Sequence, residues 1–461
     1  MFEKALNVFK IDDLRKRIVL TLTFLFVYRL GYQVPIPGIA LGKVLQVYEQ
    51  IQAQGRDGTS AVGGLINMVS VLSAGDLLSC GLFSLGIMPY ISSSIIFSIL
   101  AKVVPQIEQI VKEGSQGQKR LNQWMRWGTI PICVVQAVFV IEGVILNPAT
   151  HGIHVTLVDR AEWGSTFWFY TGWYVPALIG LTCGTVFLMW IGEQITEYGV
   201  GNGISLLIMA GILARVVELG NDLFGGQTGG DAEGAFAAGV LKLAVFFALY
   251  LGVSLAVVYV TKGSRRIPVQ YARMVRGRGV YEGLQKHYLP LKVNQANVMP
   301  VIFASSLMAF PAVLFSEGLL NWGYGKEVFQ REAWLWTTGY VALIFFFSFF
   351  WVQLMFQPDE MAKNMKEHGA FVPGIRPGKA TAEFLDKVMT RLTLAGCFFL
   401  TFISLIPDVV SQTLDLQRGA ASLIGGTSIL IVVAVALDLV DRMNAQLLMR
   451  NYEGFMKGTP K

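Results

Sequence analysis

Long apolar runs recur along this chain from end to end, and many reach the roughly 20 residues a helix needs to cross a hydrocarbon core of about 30 Å. That recurrence confines the fold. In lipid every backbone N–H and C=O must find its partner inside the protein, which leaves bundled helices or a closed barrel. The runs are continuous and rich in Leu, Ile and Phe, so they read as helices. Only 15% of residues are charged and the mean hydropathy is +0.52, against roughly 25% charged residues in soluble domains. Ten spans are predicted, starting near Ile18, Leu77, Trp127, Trp173, Ile204, Ala238, Val298, Leu335, Leu392 and Thr427. Trp127, Trp173, Trp190 and Trp334 stand at span edges, as in an interfacial belt. Met1 to Arg17 is polar and amphipathic, and the apolar run after it has no small-residue cleavage site, so a removable leader is not expected.

Lys and Arg orient the spans. Ten spans put both termini on one side. The N-terminal tail, the loops after spans two, six and eight, and the C-terminal tail together hold 27 basic residues. The opposite loops hold six: Lys43, Arg56, Arg160, Lys326, Arg331 and Arg418. The basic face, and with it both termini, is predicted to be cytoplasmic. One short loop on that face, Glu193 to Gly203, has two acids and no base. Five spans precede the Gly-rich outer loop Gly220 to Gly234 and five follow it, so two halves of a shared fold would run in opposite orientations with the functional site between them.

Two spans carry polar residues in a distinctive order. FSLGIMPYISSSIIF (Phe83 to Phe97) and GEQITEYGVGNGISLLIMAG (Gly192 to Gly211) each set isoleucines four apart, Ile91 with Ile95 and Ile204 with Ile208. Residues at i and i+4 share a helix face. Small polar residues, Ser92 to Ser94 and Ser205, flank these stripes, as expected of helices lining a wet but sealable passage.

Several function classes lose support. The mid-membrane positions are nearly free of charge, whereas an ion-coupled carrier accepts the cost of intramembrane charge to bind its ion. A secondary transporter of small solutes is therefore the weaker alternative. His151, His154, His287 and His368 all fall in loops, and no HExxH or GxxxxGK[ST] occurs, so neither a Ser–His or metal protease nor an ATPase is indicated. Cys80, Cys133, Cys183 and Cys397 show no CxxC spacing and read as small buried hydrophobes. No cofactor or metal is predicted, and no enzyme activity.

The stretches GIMPYISSSII, GEQITEYGVGNGISLL, RRIPVQYA (Arg265 to Ala272), NVMPVIFASS (Asn297 to Ser306), GAFVPGIRPG (Gly369 to Gly378), DKVMTRLTLAG (Asp386 to Gly396) and GGTSILIVV (Gly425 to Val433) keep order and span placement along the chain. Together they resemble the SecY family of protein-conducting channels. The resemblance implies an all-α membrane protein of ten transmembrane helices in two pseudo-symmetric inverted halves around a central pore. In that frame residues 1–17 are a cytoplasmic amphipathic segment and 18–219 the first half. Residues 220–236 are an outer hinge loop, 237–445 the second half with cytoplasmic loops 262–292 and 357–391, and 446–461 a cytoplasmic tail. The implied pore ring is Ile91, Ile95, Ile204, Ile208, Ile302 and Ile431. Residues 61–75, with Leu65, Ile66, Met68, Val69 and Leu72, fall where the family has a re-entrant plug. Spans two and three would face spans seven and eight across a lateral gate, with Ser92, Gln136 and Asn297 as its polar residues. Arg265, Arg266 and Arg376 would dock partners. The implied partners are the small membrane subunits SecE and SecG, the SecA motor ATPase, the ribosome, signal sequences and nascent polypeptides, and the lipid bilayer. The implied location is the bacterial cytoplasmic membrane. One departure is Tyr198, where many members carry a basic residue.

Overall fold

The computed structural model describes residues 12–39, 42, 81–146, 158, 165–225, 232–271, 287–313, 334–414 and 426–456. Helices dominate them. In chain order they are α1 (Asp12–Gly31), α2 (Met88–Val103), α3 (Pro105–Lys112) and α4 (Ser115–Val140, running on as a π-helical turn Ile141–Leu146). Then come α5 (Thr166–Tyr198, with a π-helical turn Tyr170–Tyr174) and α6 (Gly203–Gly225). α7 is Ala232–Lys262, α8 Met299–Val313, α9 Trp334–Met355, α10 Pro358–Glu367, α11 Lys379–Leu414 and α12 Gly426–Met456. Prolines set several starts: Pro89, Pro105 and Pro358 sit in first turns, where a missing N–H costs nothing. Pro105 also forces Val104 into an extended conformation (φ −98°, ψ 111°), so α2 and α3 meet at a bend of 101°.

The packing runs neighbour to neighbour in an arc: α2 on α4, α4 on α5, α5 on α6, α6 on α12, α12 on α11, α11 on α9 and α9 on α8. α1 lies against α5 and α6, and α7 against α6 and α12. The order α2–α4–α5–α6 is matched by α8–α9–α11–α12, and the two series join where α6 meets α12. Among the described residues no comparable packing joins the two ends of the arc, α2 with α4 and α8 with α9. One large apolar cluster fills the middle and draws on α1, α2, α5, α6, α7, α8, α9, α11 and α12.

Among the described residues three helical stretches are by themselves long and apolar enough to cross a membrane: Thr166–Tyr198, Leu335–Glu367 and Lys379–Ile406. The bent pair Met88–Ala101 and Pro105–Val111 qualifies when taken together. Several predicted boundaries shift. α11 begins at Lys379 rather than near Leu392, because its polar first turns continue the helix out of the apolar zone. α2 begins at Met88, and Leu77 lies outside the described residues. Helix also covers Gly220 to Gly225 and Ala232 to Gly234, within the stretch read as a hinge loop. Trp173 is buried within the protein, only 2% exposed, stacked on Phe169 at 5.6 Å and pressed against Gly38. Cys133 and Cys397 are buried as expected, whereas Cys183 is exposed on the apolar outside of α5.

The expectation of an all-α chain is corrected by a small sheet. β1 (Ser264–Tyr271), β2 (His287–Lys292) and β3 (Ala370–Phe371) form a three-stranded antiparallel sheet in the order β2-β1-β3. It joins the stretches 262–292 and 357–391, both read as loops from sequence. The alternation is legible afterwards: Ile267, Val269 and Leu291 are buried and Leu289 is half-buried, with exposed residues between them. Ile267 and Leu291 pack with Val352, Phe356, Val372, Leu385, Val388 and Met389 in a core of their own. The basic, proline-containing strand sequences masked this period-two signal.

Candidate pore and cytoplasmic platform

The six isoleucines named for the ring come from four helices: Ile91 and Ile95 from α2, Ile204 and Ile208 from α6, Ile302 from α8 and Ile431 from α12. All meet in the central cluster. Ile91, Ile208, Ile302 and Ile431 are buried, and Ile95 and Ile204 pack partly exposed against them. Aliphatic walls offer neither donor nor acceptor, so water and ions gain nothing there. The serines divide. Ser92 is half-buried, whereas Ser93 is fully buried and donates to the Met125 carbonyl of α4 at 2.7 Å. Ser93 thus serves close helix packing rather than a wet passage, as small polar residues do between membrane helices.

A tight corner between α5 and α6 positions Ile204. Gly199 N–H closes α5 on the Ile195 carbonyl, and Gly201 takes a positive φ of 92°. Asn202 caps α6: its Oδ1 accepts from the N–H groups of Ile204 (3.1 Å) and Ser205 (3.4 Å). The Thr196 hydroxyl donates to the Gly192 carbonyl at 2.8 Å and accepts from Gly203 N–H at 2.8 Å. A Cβ at Gly203 would collide with the Gly192 carbonyl, so only glycine lets the two helices approach this closely. Other elements hold the corner. Thr21 of α1 accepts from Val200 N–H at 3.2 Å, and Arg126 of α4 pairs with Glu193 at 2.6 Å. Leu14 and Ile18 of α1, with Leu439 and Met443 of α12, pack around Val200. The two acids read from sequence as part of a loop lie on the last turns of α5, and one of them, Glu193, takes the Arg126 guanidinium. The sequence signal for the corner was GNGIS itself, a cap residue between glycines.

The polar gate residues make no hydrogen bond to one another among the described residues. Ser92 and Gln136 are half-buried on α2 and α4, and no hydrogen bond joins either to Asn297 among the described residues. Asn297 is exposed, precedes α8 rather than lying on it, and adopts a left-handed φ of 56°. Its carbonyl accepts from Asn294 Nδ2 at 3.2 Å, so it shapes the turn into α8. The plug residues Leu65, Ile66, Met68, Val69 and Leu72 lie outside the described residues.

At the small sheet and the turn beside it, Arg265, Arg266 and Arg376 are all exposed. Arg265 pairs in register with Leu291 and Arg266 with Pro290, so the two arginines, adjacent in the strand, point to opposite faces of the sheet. Arg376 follows a tight turn in which Ile375 N–H donates to the Val372 carbonyl at 3.1 Å. Pro373 at the second position and Gly374 at φ 84° at the third make this a type II turn. Val372 is buried beneath it, and the Thr381 hydroxyl donates to the Arg376 carbonyl at 2.9 Å. The guanidinium thus projects from a backbone held on both sides.

The arc of apolar helices packed around one large central cluster, with a small sheet at one end, defines a class: a predominantly helical protein with helices long and apolar enough to cross a membrane. The SecY family model matches residues 81–440, and the chain belongs to the SecY family. The protein translocase subunit SecY of Corynebacterium glutamicum is 39% identical over 98% of this chain and 99% of its own length. A solved SecY, whose plug domain is described as stabilising the closed state of the translocation channel and maintaining a membrane seal, superposes with a TM-score of 0.57 at 18% identity, covering 94% of this chain and 92% of that one. The idle Ssh1 complex bound to the yeast ribosome gives the same TM-score at 15% identity, covering 93% of this chain and 89% of that one.

Proposed function

We propose that this chain is the pore subunit of a protein translocase, a passive channel through which unfolded secretory polypeptides cross the bacterial cytoplasmic membrane. The observation that supports the reading is that six isoleucines from α2, α6, α8 and α12 all belong to or pack against the one large apolar cluster at the middle of the helices. Such a constriction resists ions by dewetting yet offers a passing chain no hydrogen bond to stick to. The chain performs no chemistry of its own, so a partner drives the movement.

The finer architecture follows. Ten helices span the membrane in two inverted halves, residues 18–219 and 237–445. The matched packing orders α2–α4–α5–α6 and α8–α9–α11–α12 support the two halves. The ends of the arc form a lateral gate from which membrane-protein helices leave into the bilayer. Residues 61–75 plug the outer funnel, supported by their position just before α2 and by the plug of the related SecY. Both termini are cytoplasmic, supported by the Lys and Arg asymmetry. The platform docks SecA and the ribosome through Arg265, Arg266 and Arg376, and SecE and SecG complete the membrane complex. A ribosome-bound structural neighbour supports the ribosome as a partner.

The test is a planar-bilayer recording on the purified complex. Replacing Ile95 and Ile204 together by Gly wets the neck and raises resting conductance, about tenfold for each ~1.4 kcal/mol removed from the barrier. Wild-type conductance from a normally assembled variant would sink the ring.

A further inference from the structure

α6 is held at its start by side chains that belong neither to the ring nor to any docking surface. Its first four N–H groups have no partner within the helix. Here Gly203 N–H goes to the Thr196 hydroxyl and Ile204 and Ser205 N–H go to Asn202 Oδ1, after which Leu206 N–H opens the regular ladder on the Asn202 carbonyl. The Thr196 hydroxyl spends its own proton on Gly192, so it bridges the end of α5 to the beginning of α6. One residue earlier than Gly201, Val200 N–H is taken by Thr21 of α1, whose hydroxyl proton goes to the Arg17 carbonyl. Two hydroxyl relays and one amide cap therefore tie α1, α5 and α6 at a single corner.

We propose that Thr21, Thr196 and Asn202 are positioning residues for the seal: they set the depth and rotation of α6, and through it the direction of Ile204 and Ile208. The proposal rests on the reading that those two isoleucines line the constriction. Ile204 lies in the first turn of α6 and Ile208 one turn further on. One residue of slippage in the cap turns a helix by about 100°, since 3.6 residues make a turn. That rotation takes both isoleucines off the face they share. The corner is also where other helices reach the link between α5 and α6: α1 through Thr21 on Val200, α12 through Leu439 beside Gly201, and α4 through the Arg126–Glu193 pair on the last turns of α5. A displacement of any of the three reaches the ring through the cap.

The test is resting current per channel in a planar bilayer, with assembled channel counted separately. Thr196→Val keeps the shape and loses both hydroxyl bonds, and Asn202→Ala loses the cap. Each is expected to raise the resting current about five-fold, the population shift that accompanies loss of one helix cap. Thr196→Ser and Asn202→Asp keep the acceptor and are expected to stay at the wild-type current. Thr21→Val, which leaves α6 fully capped, raises the current less. Ile204→Gly in the same bilayer separates the two ideas. Leakage from Ile204→Gly with none from Thr196→Val or Asn202→Ala overturns the positioning role and leaves the ring standing. No leakage from Ile204→Gly removes the ring and the positioning role with it. Fewer assembled channels at unchanged current per channel means a merely structural corner, and also overturns the proposal.

Discussion

Arg376 shows how much a single side chain owes to the backbone beneath it. The type II turn at Val372 to Ile375 and the Thr381 bond to its carbonyl leave the guanidinium little choice of direction. A fork presented in this way suits a bidentate contact with a carboxylate or phosphate, which an ammonium cannot reproduce. In vesicles reconstituted with the partner motor, Arg376→Glu is expected to assemble normally and to lose most translocation of a secretory precursor. Arg376→Lys is expected to fall between that variant and the wild type. Equal rates for all three would leave Arg376 a topological charge and nothing more. Gly374→Ala tests the presentation itself. A Cβ at φ 84° strains the turn, so translocation is expected to drop although the arginine remains.

At the scale of elements, the described parts of the sheet-forming stretches 264–292 and 357–391 pack as one folded unit. β1 and β2 cover one side of a core completed by α10 and the polar start of α11, with Ile267, Leu291, Phe356 and Leu385 inside it. In a membrane protein this is the region where water-driven burial stabilises most directly, at about 25 cal/mol per Å² of apolar surface. Leu385→Ala is expected to cost about 2–5 kcal/mol locally, the range for large-to-small changes in a core. Protease accessibility of the platform should therefore rise while the membrane-embedded helices stay protected. An unchanged digestion pattern would mean that the platform does not depend on this core. Arg265 and Arg266, on opposite faces of the same strand, are expected to be separable in binding assays, because one docked partner buries one face first.

For the whole molecule the decisive question is orientation. In a background freed of native cysteines, which must include the exposed Cys183, single cysteines replace Ser264, Lys379 or Thr166. A membrane-impermeant thiol reagent applied to intact cells is expected to label Thr166→Cys only. Disruption of the membrane should expose the other two. Labelling of Lys379→Cys from outside would break the ten-span topology. The arc of helices adds a second expectation. Cysteines placed on α2 and α8 across its open ends should cross-link, and the bridge should block release of membrane helices more than passage of secretory chains.

Periodicity and charge were enough to read the membrane class and the helical composition, and the ordered motifs from GIMPYISSSII to GGTSILIVV carried the likeness to SecY. Hydropathy acts on windows of about 20 residues, and lipid leaves few alternatives to a helix. The i, i+4 spacing also placed Ile91 with Ile95 and Ile204 with Ile208, because residues four apart share a helix face whatever surrounds it. Ile302 and Ile431 came from motif resemblance, since a lone isoleucine in an apolar helix carries no local mark. Tertiary structure decided the rest. Strands hidden in basic, proline-bearing loops became visible only when β1 found β2 and β3. Trp173 and Ser93 proved to be packing residues, buried between neighbouring elements. Asn297 proved to be a turn residue with φ 56°. The corner at Thr196 and Asn202 was written in GNGIS, but its ties to Thr21, Arg126 and Leu439 join residues far apart in sequence. Pairing at that range has no local pattern to reveal it, because it depends on which faces meet once the helices pack.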